Sequence, residues 1–316
     1  MKLLKLVPDD TNIDFMKVRN IALILSILFT FASLALVSVR GLNLGIDFVG
    51  GQLVRVSFDK QIDIETLRRQ VDTLQVGEAS IQEFGDSRTY QIRLPKPDGP
   101  DSRSIEVVNK LRAFLSSQYP SATIGAGESV SGKVSEELAQ DGALSISLAM
   151  AGIALFIWFR FEWQFGVGAL ITLFHDVSMV LGFFSLTQLP VDLNIVAAFL
   201  AIVGYSLNDT VVIYDRIREN LRKYRKMAII PLLNLSLNET LSRTIVTSLS
   251  IMLALVVLLI LGPPVLFGLT IAILLGTFIG TYSSIYISAP ALVWMGLEPD
   301  SFLKTDDKDA AEGQVA

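Results

Sequence analysis

Cysteine is absent from the 316 residues, and histidine occurs once, at His175. The first absence excludes disulfides and thiolate metal sites; the second excludes a multi-histidine metal centre built within this chain. The net charge of -5 leaves no overall basic excess with which to neutralise phosphates and argues against nucleic acid as a partner. The Gly-x-x-x-x-Gly-Lys-Ser/Thr loop that cradles nucleotide phosphates is missing as well. No nucleophile constellation accompanies the lone histidine, which leaves an intramembrane hydrolase little to work with. An enzyme is not expected, nor is a metal or other cofactor.

Charge is scarce too, at 18% of the residues, while 51% are hydrophobic and the mean hydropathy is positive. That balance is too apolar for a water-soluble protein and indicates a membrane protein. Apolar runs long enough to cross a bilayer occupy 21–39, 143–159, 165–186, 193–214, 245–261 and 265–287. The first follows Lys2, Lys5, Lys17 and Arg19. Its length, and the acids Asp9, Asp10 and Asp14 ahead of it, suit a retained helix better than a cleaved leader.

Basic residues precede the first run, lie between the second and third at Arg160, and cluster after the fourth from Arg216 to Lys226. The connections 187–192 and 262–264 have none. By the positive-inside rule both termini are expected on the cytoplasmic side, with Trp158, Trp163 and Trp294 at the cytoplasmic ends of their spans. The expected division is residues 1–39 as cytoplasmic N-terminus and first helix, 40–140 as an extracytoplasmic domain, 141–297 as helices two to six, and 298–316 as a cytoplasmic tail.

Within 40–140 the pattern is that of an α+β domain. Residues 52–58 alternate as a strand, and Ile64, Leu67, Val71 and Leu74 recur at helical spacing. Two short strands, 80–84 and 89–94, flank the turn Gly85-Asp86-Ser87. A second helix carries Ile105, Val108, Leu111 and Leu115 on one face, and a last strand opens at Ala122. The order strand-helix-strand-strand-helix-strand is the ferredoxin-like split βαβ pattern. Gly45, Asp47, Gly50 and Gly51 join the first helix to this domain, as a tight turn or a hinge. Further on, Gly276, Gly280, Ser284 and Ser288 form a small-residue stripe that predicts close helix packing.

The most informative residue is Asp209, near the end of the fourth apolar run. Placing an aspartate at the centre of a membrane helix costs roughly 2.5–3.5 kcal/mol, so it needs a partner, a proton or water. Ser236-Leu237-Asn238-Glu239 has the form of a capping box and predicts that the fifth helix begins near Leu237. Arg243 then lies about 9 Å inside that helix, and Asp209 about 9 Å inside Asp215. Matching depth predicts an Asp209–Arg243 pair, with Ser206 and Asn208 beside the acid and Thr247 and Ser250 continuing a polar stripe from the base. Such a pair, coupled to helix movement, is suited to binding and releasing protons; snorkelling of Arg243 to the interface is the competing arrangement. His175-Asp176 forms a second polar island on the third helix, as a relay or a packing contact.

Gly45-Ile46-Asp47-Phe48-Val49-Gly50-Gly51, Arg160-Phe161-Glu162-Trp163, His175-Asp176-Val177, Val203 through Asp209, Asp215 through Asn220, and Ser242-Arg243-Thr244 with Thr247-Ser248 resemble the SecF family of protein-export membrane proteins. That family belongs to the SecD/SecF group, with helix architecture like that of resistance-nodulation-division transporters. The resemblance covers nearly the whole chain and implies a SecD partner whose six helices complete a twelve-helix arrangement. It also implies assistance to the Sec translocon channel in the bacterial cytoplasmic (inner) membrane, where the proton-motive force drives forward movement of translocating preprotein. The family's acid on the fourth helix and base on the fifth map onto Asp209 and Arg243. Moving one charge through about 100 mV yields roughly 2.3 kcal/mol, enough to bias a conformational equilibrium of a few kcal/mol. Two alternatives stay open: a proton-coupled exporter of lipids or hydrophobic small molecules, and an unpowered translocon scaffold.

Overall fold

The computed structural model describes residues 8, 11–76, 79–95 and 102–298. Lys2, Lys5, Asp9, Asp10 and the tail from residue 299 lie outside the described residues. A 3-10 turn at Phe15–Val18 runs into α1 (Arg19–Arg40). A short helix, α2 (Ile46–Val49), then leads to β1 (Gly51–Ser57), α3 (Ile64–Asp72), β2 (Ser80–Phe84), β3 (Asp86–Leu94), α4 (Ser102–Gln118), β4 (Thr123–Ile124) and β5 (Glu128–Val130).

The sheet order is β2-β3-β1-β4 with antiparallel neighbours throughout, as the split βαβ pattern requires. β4 pairs with Val56 and Ser57, and β5 continues the edge against Gly51 to Leu53. Alternation places Val54, Val56, Tyr90, Ile92 and Ile81 in one core with Leu67, Val71, Leu111 and Leu115 from the two helices. Asp63 accepts from Thr66 N at 2.9 Å and from the Thr66 hydroxyl, which fixes the start of α3 and holds its carboxyl below the usual carboxylate range. The hairpin is tighter than the sequence suggests. β3 already begins at Asp86, because Gly85 turns the chain at φ +81° and a bulge at Glu83/Phe84 absorbs the offset.

The remaining elements are α5 (Gly132–Arg160), α6 (Trp163–Thr187), α7 (Leu193–Lys223), α8 (Ile229–Leu261), α9 (Phe267–Ser283), a π-helical turn at Ser284–Ser288, and α10 (Ala289–Trp294). Together with Phe15–Arg40, and with 267–294 counted as one, they give six helices long and apolar enough to cross a membrane. α6, α7 and the last span form the interior, and α1, α5 and α8 pack around them with more of their surface exposed. α5 starts with a polar stem ahead of its apolar run, capped where Ser131 Oγ accepts from Val134 N at 3.3 Å. The π-helical turn precedes Pro290, whose missing N–H cannot bond the carbonyl of Tyr286.

Two sequence expectations about helix ends and packing have opposite outcomes. The small-residue stripe does permit close approach: a Cβ at Gly276 would meet the Ile202 side chain at 2.4 Å, and one at Gly280 would meet Ser206 at 3.2 Å. The capping box is not a helix start. α8 begins eight residues earlier, at Ile229, with Pro231 in its first turn, where a missing N–H breaks no helical bond. Ser236 Oγ instead donates to Leu232 O at 2.9 Å, and Glu239 turns outward to Arg216 at 2.7 Å.

Candidate functional site

Three cross-helix contacts set the antiparallel register of α7 and α8. Asn220 Nδ2 donates to Ser236 Oγ at 3.0 Å, Arg216 pairs with Glu239, and Ser248 Oγ donates to Asp209 Oδ2 at 3.2 Å. Asp209 lies fourteen residues before the end of α7 and Arg243 fourteen after the start of α8, about 21 Å along each helix. Equal distance from the helix ends is not equal depth, because the two ends are not level, and neither the depth nor the facing is the expected one. In this register Asp209 is opposite Ser248, and Arg243 falls more than a turn nearer the basic ends, on the exposed face of α8. Arg243 and Asp209 are not within ion-pair distance.

Asp209 is 8% exposed and borders a polar cavity of about 20 Å³, room for one water. Ser206, Asn208, Thr247, Ser248, Thr277 and Thr281 share its wall. Thr281 Oγ1 donates to Ser248 Oγ at 2.8 Å, which extends the hydroxyl chain onto α9. The Thr277 hydroxyl is buried without a hydrogen-bond partner among the described residues. The wall thus offers the acid donors and acceptors that can rotate to suit either protonation state. Thr247 and Ser250, expected to carry the polar stripe, bond back to their own helix at Arg243 O and Val246 O, and Ser250 is exposed.

Asp176 is fully buried and satisfied on both oxygens. Ser206 Oγ donates to Oδ2 at 2.5 Å and Ser283 Oγ to the same atom at 2.8 Å, while His175 Nδ1 lies 2.8 Å from Oδ1. His175 in turn faces an apolar groove of about 360 Å³ between α1, α6 and the last span. Ser206 links the two acids, since it bonds Asp176 and lines the cavity beside Asp209. Of the predicted residues, Ser206, Asn208, Asp209 and Thr247 converge on one cavity, and His175 and Asp176 join through Ser206. The sequence does not mark Thr281 and Ser283 as site residues, and it shows Ser248 only within the family-like segment. Isolated hydroxyls in apolar helices are common and become informative only when a buried acid is known to face them.

A second convergence lies at the opposite end of α7. Gly45 N donates to Val191 O at 2.7 Å, and Val191 N to Asn43 O at 2.9 Å, so the segment before β1 is strapped to the α6–α7 turn. Asp47 Oδ2 accepts from Leu193 N at 3.0 Å, and Asp192 Oδ1 accepts from Ile195 N at 3.2 Å. Two carboxylates thus satisfy the first turn of the helix that carries Asp209. Burial pushes the Asp192 carboxyl above the usual range, against the bonds from Ile195 and Asn194, and the Asp47 charge adds to the rise. Gly50 leaves this strap at φ +73°, a conformation that favours glycine.

Residues 110–298 match the family model for the C-terminal part of the protein export membrane proteins SecD/SecF, and residues 35–62 match the SecD/SecF GG motif. The chain belongs to the SecD/SecF family. It is 41% identical over 301 residues to the protein translocase subunit SecF of Cereibacter sphaeroides, covering 93% of each chain. It is 39% identical over 303 residues to that of Pseudomonas aeruginosa, covering 95% of this chain and 97% of the other. Both relatives are named as translocase subunits. Among solved structures it is similar to SecDF, a translocon-associated membrane protein from Thermus thermophilus, at 34% identity and a TM-score of 0.84 over 92% of this chain. It also resembles SecDF in a super-membrane-facing form, at 33% identity and 0.66 over 97%. The chain spans 39% and 40% of those two longer chains. Family membership and six candidate spans make this a multi-pass membrane protein of the export family.

Proposed function

We propose that the chain is the SecF half of a SecD–SecF assembly that draws on the proton-motive force to help preproteins through the Sec translocon. In this reading Asp209 takes up and releases the proton, and Arg243 is its alternating charge partner. The observation that carries it is the setting of Asp209: a buried acid held by the Ser248 hydroxyl beside a water-sized polar cavity, with the Arg243 guanidinium, unpaired among the described residues, little more than a turn away along the adjacent helix. In this conformation no cation stands within ion-pair distance of the carboxyl, whose polar surroundings are hydroxyl and amide side chains. When the α7–α8 register or the Arg243 rotamer changes, the guanidinium can approach and favour the ionised form. His175-Asp176 then serves as a second station, coupled through Ser206.

The strap between the α6–α7 turn and residues 41–51 gives the proton event an output. Movement of α7 pulls on Leu193 and through Asp47 on the root of the sheet domain, which acts as a lever on the extracytoplasmic side. The placing of both termini in the cytoplasm is supported by the basic residues around Arg160 and 216–226. The test is preprotein transport in sealed vesicles with the partner present. Asp209→Asn and Arg243→Met are both expected to assemble yet lose stimulation by the proton gradient; normal gradient dependence in either variant contradicts the assignment.

The groove beside His175 favours one competing reading, export of lipids or hydrophobic small molecules, since its wall is almost wholly apolar. Preprotein export that proceeds unchanged without this chain, with lipid efflux lost, decides for that reading.

A further inference from the structure

At the basic ends of α5 and α7 a cleft of about 480 Å³ opens between Arg160, Asp215, Arg218, Glu219, Arg222 and Lys223. One wall is rigid. Phe161 is buried in the α5–α6 turn with two guanidinium groups over its ring, Arg160 at 5.0 Å and Arg218 at 5.9 Å from the centroid. Arg218 Nη1 also donates to Arg160 O at 3.2 Å, and its Nη2 lies 3.4 Å from Glu162 Oε1. The other wall is uncommitted: Arg222 makes no ion pair among the described residues, and Lys223 rests on the Tyr224 ring at 4.8 Å.

The charge is unbalanced within the cleft. Asp215 pairs with Arg160 at 3.1 Å, Glu162 with Arg218 at 3.4 Å and Glu219 with Arg216 at 2.6 Å, which leaves Arg222 and Lys223 as the surplus. Depth places this surplus at the lipid headgroups. The apolar runs end at Phe159 and Tyr214, and Arg218 follows Tyr214 by about 6 Å along the helix, inside a headgroup layer of roughly 5–8 Å per leaflet. Arg222 is about 12 Å out and can lay its stem back toward the cleft. Exposed Trp158 and Trp163 flank the same turn, as rings do at a membrane interface.

We infer that this cleft is a headgroup site for an anionic phospholipid, with the phosphate held between the fixed Arg160–Arg218 wall and Arg222. An excess of basic residues at one membrane face follows from topology alone. A cleft with two guanidiniums over one buried phenyl ring does not, and basic pockets of this kind between membrane helices suit phosphate headgroups.

The test uses the full-length protein, stripped of lipid in neutral detergent and titrated with phosphatidylglycerol, phosphatidylcholine or inorganic phosphate, with bound lipid counted by native mass spectrometry. Phosphatidylglycerol is expected to bind at least tenfold more tightly than phosphatidylcholine, taking about fivefold per charge. Arg222→Gln combined with Lys223→Gln should weaken phosphatidylglycerol by an order of magnitude or more. Asp215→Asn, which frees Arg160, should strengthen it about fivefold, a gain that misfolding cannot imitate. Equal retention of the two lipids, or no gain in Asp215→Asn, overturns the site. Displacement of phosphatidylglycerol by low-millimolar inorganic phosphate overturns the lipid assignment in favour of a soluble anion.

Discussion

Asp47 Oδ2 accepts a hydrogen bond at 3.0 Å from the backbone N–H of Leu193, a residue 146 positions further along the chain. It is the direct polar tie between the root of the sheet domain and the first turn of the helix that carries Asp209. An Asp47→Ala variant loses a helix-start acceptor, a loss of about 1 kcal/mol in stability. It should therefore melt lower in detergent and, if the tie transmits motion, show weaker gradient stimulation of export. Asp47→Asn keeps an acceptor oxygen and should retain most of both. Equal loss in the two variants would point to the charge rather than the bond.

The neighbouring Asp192 gives a pH dependence with a definite sign. Its folded-state pKa is raised, first by burial and further by the Asp47 charge. The stability associated with the protonated form is fully present below the ordinary value of 3.8 and is lost as pH rises through the higher folded value. Asp192→Asn, which caps a helix equally well, should flatten that part of the melting-temperature profile and melt higher than the parent at neutral pH. A variant that melts lower at pH 7, or keeps the parent slope above pH 4, argues against it.

Packing between α7 and α9 depends on the absence of one methyl group. A Cβ at Gly276 would lie 2.4 Å from Ile202 Cγ1, so Gly276→Ala should destabilise the bundle by about 1–3 kcal/mol. The same change made in an Ile202→Ala background fills the space it would otherwise invade. A coupling energy of roughly 0.5–3 kcal/mol in the double-mutant cycle is expected, read from thermal unfolding of the four proteins in one detergent.

The sequence made these axial features legible because apolar length and small-residue spacing act along the helix. The six spans, the strand order of the sheet domain and the Gly276–Gly280 contact all follow from such spacing. Facing is a different matter. Spacing from the helix ends suggests that Arg243 and Asp209 share a depth, yet Ser248 meets the acid and Arg243 lies more than a turn away, because the contacts of Asn220 with Ser236 and of Arg216 with Glu239 set a register that no single helix contains. Ser236-x-x-Glu239 misled for a related reason. The same four residues serve a helix interior once an apolar segment with an early proline starts the helix upstream. The Asp47–Leu193 tie had no local signature at all, being made only when residues far apart in sequence meet.

The His175-Asp176 pair can be separated into relay or packing contact by one near-isosteric change. Asp176 accepts hydroxyl donors from Ser206 and Ser283 and faces His175 Nδ1. An asparagine there keeps one acceptor and gains a donor, and serine hydroxyls can rotate to accept as readily as donate. Asp176→Asn should therefore assemble normally and melt near the parent temperature, whereas Asp176→Leu leaves buried hydroxyls unsatisfied at about 1–3 kcal/mol each. If Asp176 exchanges protons with the Asp209 cavity through Ser206, the asparagine variant will lose gradient-stimulated export despite its intact fold. Ser206→Ala, which breaks the link and leaves both acids in place, should lose it as well. Retention of full stimulation in Asp176→Asn would reduce the pair to a bracket holding α6 against α7 and α9, and would leave Asp209 as the sole intramembrane acid available to the proton.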